Sequence, residues 1–380
     1  MRAATWLSVL LLSACGAPQS ATKEKTTAER AARDDRAMRA FVDGAEQLGR
    51  GTPKSLTRAS ELLREAVQLD PKLWEAHYDL GLTLRRMGEL DAAREHLSRA
   101  HELAPEASEP LWALAECELA RGDADKSASW LEQLVKLDGT RVEVRLALAA
   151  VERERGQLER ALDSARAVLV KDPRETRALL EIGRIYRVRG QYDVTELVLE
   201  KARALLANDE KKSAPVYNEL GLLALARGDT QLAFTHFAKA ESLDARFIPA
   251  HVNQGSVLLR AGDYEAAERA YRAALQAEAK QGESVDARSV EARIGLGIAQ
   301  RGQGKYKEAR ATYEKVLEAH PSQLAALYDL AVLLADFMDQ RKAALPLFER
   351  YLASAPKTDS HRESAERYLQ DIRMSTGTPP

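Results

Sequence analysis

The side chains in this 380-residue chain that could carry chemistry are few and scattered. The seven histidines (His77, His96, His101, His236, His251, His320 and His361) never form the His-x3-His pair that presents two imidazoles on one helix face, so no metal site is expected. No phosphate-cradling loop ending in Gly-Lys-Ser/Thr occurs, no Gly-x-Ser-x-Gly elbow to expose a nucleophile and no dinucleotide-binding glycine fingerprint. The two cysteines, Cys15 and Cys117, exclude a disulfide scaffold. Cys117 falls in a helical pattern where a small apolar side chain packs, which makes it a core residue and not a reactive thiol. The chain is therefore not expected to be an enzyme, and no cofactor or small-molecule substrate is expected.

Composition agrees. A hydrophobic fraction of 45% beside 30% charged residues supports a buried core. A net charge of -2 gives no bulk electrostatic reason to bind nucleic acid. Abundant Ala, Leu, Arg and Glu with few β-branched residues suits a mostly helical chain.

The elements that position these residues begin with a short segment of a different kind. Met1-Arg2 is followed by an apolar run through Leu12 that is too short to span a bilayer. It closes on Leu12-Ser13-Ala14-Cys15, which resembles the lipobox of bacterial lipoproteins. That resemblance implies cleavage of residues 1–14, a thioether-linked diacylglycerol on Cys15 and acylation of the new amino terminus, palmitate being a typical chain. Two or three acyl chains give lasting anchorage where one binds only marginally. Gly16 stands where an Asp commonly retains such proteins at the inner membrane, so the outer membrane is the expected address. Residues 15–29 read as anchor and flexible tether, with a reach of about 20 Å.

The rest of the chain is read with a glycine ruler. Gly88, Gly122, Gly156 and Gly190 lie 34 residues apart; Gly228 follows after 38, Gly262 after 34 and Gly304 after 42. Each closes one helical pattern and opens another, as the C′ glycine between antiparallel helices does. Leu80-Gly81, Gly88, Ala93, Leu97, Ala100 and Pro105 then recur in register along the chain. This pattern is similar to the tetratricopeptide repeat, which implies an all-α, right-handed superhelical solenoid of about nine helix-turn-helix repeats over residues 30–357. The first repeat is traced through Gly44, Ala59, Leu63, Ala66 and Pro71. Lengthened helices or surface loops are expected around Asn208 to Lys212 and Lys280 to Ser284. The ninth repeat has an extra residue and no turn glycine. Residues 358–373 read as a capping helix that buries Ala365, Tyr368, Leu369 and Ile372, and residues 374–380 as a tail.

In the family that this resembles, the first helix of each repeat lines a groove with roughly its second, fifth, ninth and twelfth residues. Carried over by register, the candidate partner-binding residues are Tyr78 and Trp112, then Arg153, Arg177, Arg184 and Arg187, then the apolar Leu222, Val252, Ile294, Ile298 and Tyr328. Arg85, Glu116, Leu225, Leu259 and Val332 share the register, and Glu143 and Glu154 are partial counter-charges. The arginines have two readings, a solvated face or bidentate contacts to an acidic partner. The apolar part suits an extended or helical segment. The function implied is a lipid-anchored, periplasm-facing adaptor holding a protein or peptide in its groove to assist assembly or localisation of an envelope complex, similar to pilotin-type and outer-membrane-assembly lipoproteins. A motility or pilus component is the nearest alternative. A peptidoglycan- or peptide-acting enzyme subunit is the more distant one.

Overall fold

A computed structural model of the chain describes the backbone of residues 20–281 and 287–376. The signal segment 1–14, Cys15 and part of the second insertion lie outside the described residues. Every regular element among the described residues is helical. The chain divides into two compact bodies, the first ending at Asp138 and the second beginning at Gly139. Gly139 is also where the repeat register has its closing proline.

The first body holds three antiparallel helix pairs: α1 (Ser20–Arg50) with α2 (Pro53–Leu69), α3 (Trp74–Arg86) with α4 (Leu90–Leu103), and α5 (Ser108–Ala120) with α6 (Ala124–Leu137). Its core joins Leu63, Leu80, Leu84, Leu97 and Leu114 to Cys117, all 0% exposed. Burying each leucine contributes roughly 2 kcal/mol. Small residues make this packing possible. A Cβ on Gly81 would lie 2.6 Å from Leu97 Cγ, so only glycine lets the two helices of that pair meet. The sequence reading placed a tether up to residue 29, whereas the backbone of α1 is helical from Ser20. Beside its Thr and Lys, that stretch carries the Ala, Glu and Arg that extend a helix.

Six more pairs form the second body: α7 (Val142–Glu154) with α8 (Leu158–Lys171), α9 (Thr176–Val188) with α10 (Tyr192–Leu205), α11 (Ala214–Ala226) with α12 (Thr230–Leu243), α13 (Ile248–Arg260) with α14 (Tyr264–Gln281), α15 (Ala287–Gly302) with α16 (Tyr306–Ala319), and α17 (Leu324–Val332) with α18 (Arg341–Ser354). A final helix, α19 (Arg362–Thr376), buries Ala365 and Ile372 against the last pair, with Tyr368 and Leu369 packed beside them. The first insertion becomes a 3-10 turn at Glu210–Ser213, and the second accompanies an α14 lengthened to 18 residues.

Turn chemistry repeats with the register. Gly88 has φ of 81°, with its N–H on Arg85 O at 3.1 Å and the next N–H, of Glu89, on Leu84 O at 2.9 Å. That double bond caps the helix only if the intervening residue is left-handed, which glycine adopts without a Cβ clash. Gly51, at φ of 66°, extends the ladder upstream to the first pair. In the ninth pair Asp339 takes the left-handed position, at φ of 51°. The extra residue there is absorbed by a π-helical turn, Leu333–Phe337, whose wider hydrogen-bond ring holds one more residue than an α turn.

Candidate partner-binding face

Consecutive first helices touch within each body. Register positions two, five, nine and twelve of these helices are the ones the sequence reading assigned to a partner. In the first body they include Tyr78 and Trp112, both half-buried. Tyr78 lies 6.3 Å from Trp74, ring centre to ring centre. Burial raises the Tyr78 phenol above its ordinary pKa, and Asp79, Glu109 and Glu116 push it the same way against Arg85. Arg85 is itself engaged, with Nη2 on Glu116 Oε2 at 3.0 Å. Burial, then the Glu75 charge, lifts the Asp79 carboxyl to about 6, with Arg86 opposing.

The second body places the arginines differently from either reading of the sequence. Arg153 Nε donates to Glu181 Oε1 at 2.7 Å, and Arg184 donates to Glu181 at 3.1 Å and to Glu219 at 2.8 Å. Arg187 Nη2 reaches the second oxygen of Glu219 at 3.4 Å. Both glutamates are only 5% exposed at the side chain. The result is one alternating chain of charges across α7, α9 and α11. Burial alone would lower the Arg184 pKa, but Glu219 and Glu181 outweigh it and raise it. Arg177 sits apart on Glu143 at 3.0 Å and Glu175 at 2.9 Å, with its pKa raised first of all by the Glu175 bond. The four arginines are thus matched by carboxylates of the same body. Farther along, Arg301 repeats the arrangement on Asp329 at 3.1 Å.

The apolar register divides in two. Val252 is 3% exposed and Ile294 9%, so both are mainly packing residues, Val252 in a cluster with Tyr271 of α14 and Leu296 of α15 and Ile294 in one with Val316 of α16 and Ala326 of α17. Leu222, Leu225, Leu259, Ile298 and Val332 are half-buried and keep surface for a partner. Tyr328 is half-buried too, but the cap holds it, its hydroxyl 3.1 Å from Ser364 Oγ and its ring against Tyr351 and His361.

Among the described residues, the histidines and Cys117 do not converge on one site. Among the described residues there is no cluster of three metal-ligating side chains. His77 and His96 face each other through their Nδ1 atoms at 3.1 Å inside the second pair, and burial lowers both pKa values. Cys117 is fully buried, bonds Leu90 O at 3.4 Å, and has its thiol pKa raised by burial. Sequence reasoning missed the buried acids, Glu181, Glu219 and Asp329. They occupy the sixth register position, 28 residues after Arg153 and Arg301, and 32 after Arg187 because the first insertion intervenes.

Sequence profiles described as tetratricopeptide repeat match residues 247–321 in one case and 55–108, 78–141, 146–210 and 294–358 in another. No curated protein matches the sequence significantly. Among solved structures, a tetratricopeptide repeat protein from Parabacteroides merdae superposes with a TM-score of 0.55 at 18% identity, covering 69% of this chain and 99% of that one. Yeast Tom70 gives 0.50 at 13%, covering 91% and 97%. The Cut9–Hcn1 hetero-tetramer of the APC/C gives 0.51 at 15%, covering 83% and 73%. These likenesses establish the fold.

Proposed function

This chain belongs to the tetratricopeptide repeat family, and from that premise we propose that it is a lipid-anchored scaffold of the bacterial envelope, holding a protein segment against its first-helix faces to assist assembly or localisation of an envelope complex. The observation that carries the binding part is the row of half-buried apolar side chains from Leu222 to Val332, set on helices stiffened by matched charges. Such a surface gains by covering its apolar atoms and offers no convergent acid, base or nucleophile. The solved Cut9–Hcn1 assembly supports the reading, since a repeat of this fold is there part of a multi-protein complex.

The anchor rests on Leu12-Ser13-Ala14-Cys15 at the end of the apolar run, and the outer-membrane address on Gly16. We read the protein as periplasm-facing. Replacing Cys15 by Ala removes the thiol on which the thioether would form. The C15A protein is expected to leave the outer-membrane fraction for the soluble one, and wild-type levels in the membrane fraction would refute the anchor.

A further inference from the structure

The fourth register position of a first helix can tie it to the turn before it. Arg145 in α7 donates from Nε to Gly139 O at 2.8 Å, and His251 in α13 has Nε2 3.0 Å from Ala245 O, each on the carbonyl six residues back. His77 holds the same position in α3, but its Nε2 is buried without a hydrogen bond. Its one hydrogen bond crosses instead to the second helix of the pair, where its Nδ1 meets His96 Nδ1 at 3.1 Å with the ring centres 5.3 Å apart. Among the described residues no side chain of any other helix bonds either ring.

Two imidazoles that meet through like nitrogens keep their bond only while one Nδ1 carries a proton and the other a lone pair. The neutral pair satisfies this, and so does the pair with one extra proton. A second extra proton sets N–H against N–H and places two charges face to face, with no carboxylate bonded to either. The surrounding charges do not offset that repulsion. Burial comes first in lowering both pKa values; at His77 the His96 ring and Arg99 of α4 add to it, against the Pro71 carbonyl and Asp70 at the end of α2, and at His96 Arg64 of α2 adds to it, against Glu95 of α4. The seam beside the rings is tight. His77 lies one turn before Gly81, where a Cβ would come within 2.6 Å of Leu97 Cγ, and Leu97 follows His96 in α4. Helices packed this closely separate as a unit and not by small degrees.

We propose that the His77–His96 contact is an acid-operated latch: the second extra proton taken up by the pair parts α3 from α4 and withdraws the Tyr78 surface, while α9 and α10, which carry no histidine, stay together. The inference rests on the partner-binding reading for what the opening withdraws; the latch itself is a property of this chain alone.

Amide hydrogen exchange of the full chain, read by mass spectrometry at pH 7.5 and pH 5.0 and corrected for the intrinsic pH dependence of exchange, tests it. Asp79 on α3 responds to acid in the opposite sense, so every protein compared carries Asp79→Asn. Protection of α3 and α4 is expected to fall by at least about tenfold at pH 5.0, while that of α9 and α10 changes by less than about threefold. His96→Gln, whose amide can bond His77 Nδ1 without titrating, should cut the fall in α3 and α4 to about a third or less, and His77→Gln should do the same. An equal fall in both helix pairs, no fall in either, or a fall undiminished in both variants overturns the latch. Failure of the partner-binding reading would appear in cross-linking and leave these exchange rates unaltered.

Discussion

Asp79 bears on stability, in a way that depends on pH. Its carboxyl titrates near 6 in the folded chain against an ordinary 3.8, so the folded state binds the extra proton between those values. Ionising it works against the fold, and the sign follows: stability is gained as pH falls through 6 and the full penalty applies above it. Asp79→Asn removes the charge and nearly keeps the shape. It is expected to stabilise the protein by on the order of 2 kcal/mol at pH 8 and to give no advantage at pH 4, read from urea unfolding of both proteins at each pH. An equal gain at both pH values would contradict this account of Asp79. The neighbouring His77 and His96 work in the opposite sense. Burial lowers their pKa values, Arg99 and Arg64 add to that, and Asp70 and Glu95 oppose it. Their contribution is present above 6.5 and is lost as pH falls from there through the folded values, which is why the comparison is made between D79N and wild type at matched pH.

At the scale of elements, the first helices of α7, α9 and α11 are joined by charges as well as by apolar contact. Glu219 is the key member, accepting from both Arg184 and Arg187 at 5% exposure. Neutralising it as Glu219→Gln leaves Arg187 without its counter-charge and Arg184 with Glu181 alone, at a cost of about 3 kcal/mol. Glu143→Gln, which breaks a pair that is 54% exposed on both sides, should cost under about 1 kcal/mol. Denaturant midpoints of the two variants check this, and a loss in E219Q no larger than in E143Q would make the network ornamental. How much of this was legible follows from the same residues. The glycines show the helix pairs because a left-handed turn leaves one residue type nearly unopposed. The ladder of 28-residue spacings is equally visible, but the sixth position was not counted as facing a neighbour, so the arginines stood in the sequence without their partners. The ninth repeat announced its extra residue; that the chain would widen one turn at Leu333–Phe337, and let Asp339 stand in for glycine, depends on packing against α18 and α19. The helical start at Ser20 was hidden by Thr and Lys residues, which weaken the pattern without ending the helix.

For the whole molecule, a net charge of -2 is the sum of many local matches and not of a balanced surface. Cations that looked available are engaged, and the acids Glu181 and Glu219 that engage three of them are buried. The central claim is that a protein partner is held by first-helix faces. Photo-cross-linking tests it most directly, with a benzoyl-phenylalanine placed in vivo in the full chain at Ile298 or Leu225 on that face, and at Thr235 or Lys239 on second helix α12 for comparison. The account predicts one discrete protein adduct from the first-helix positions and none from α12; adducts from α12 alone, or the same adducts from all four positions, would contradict it.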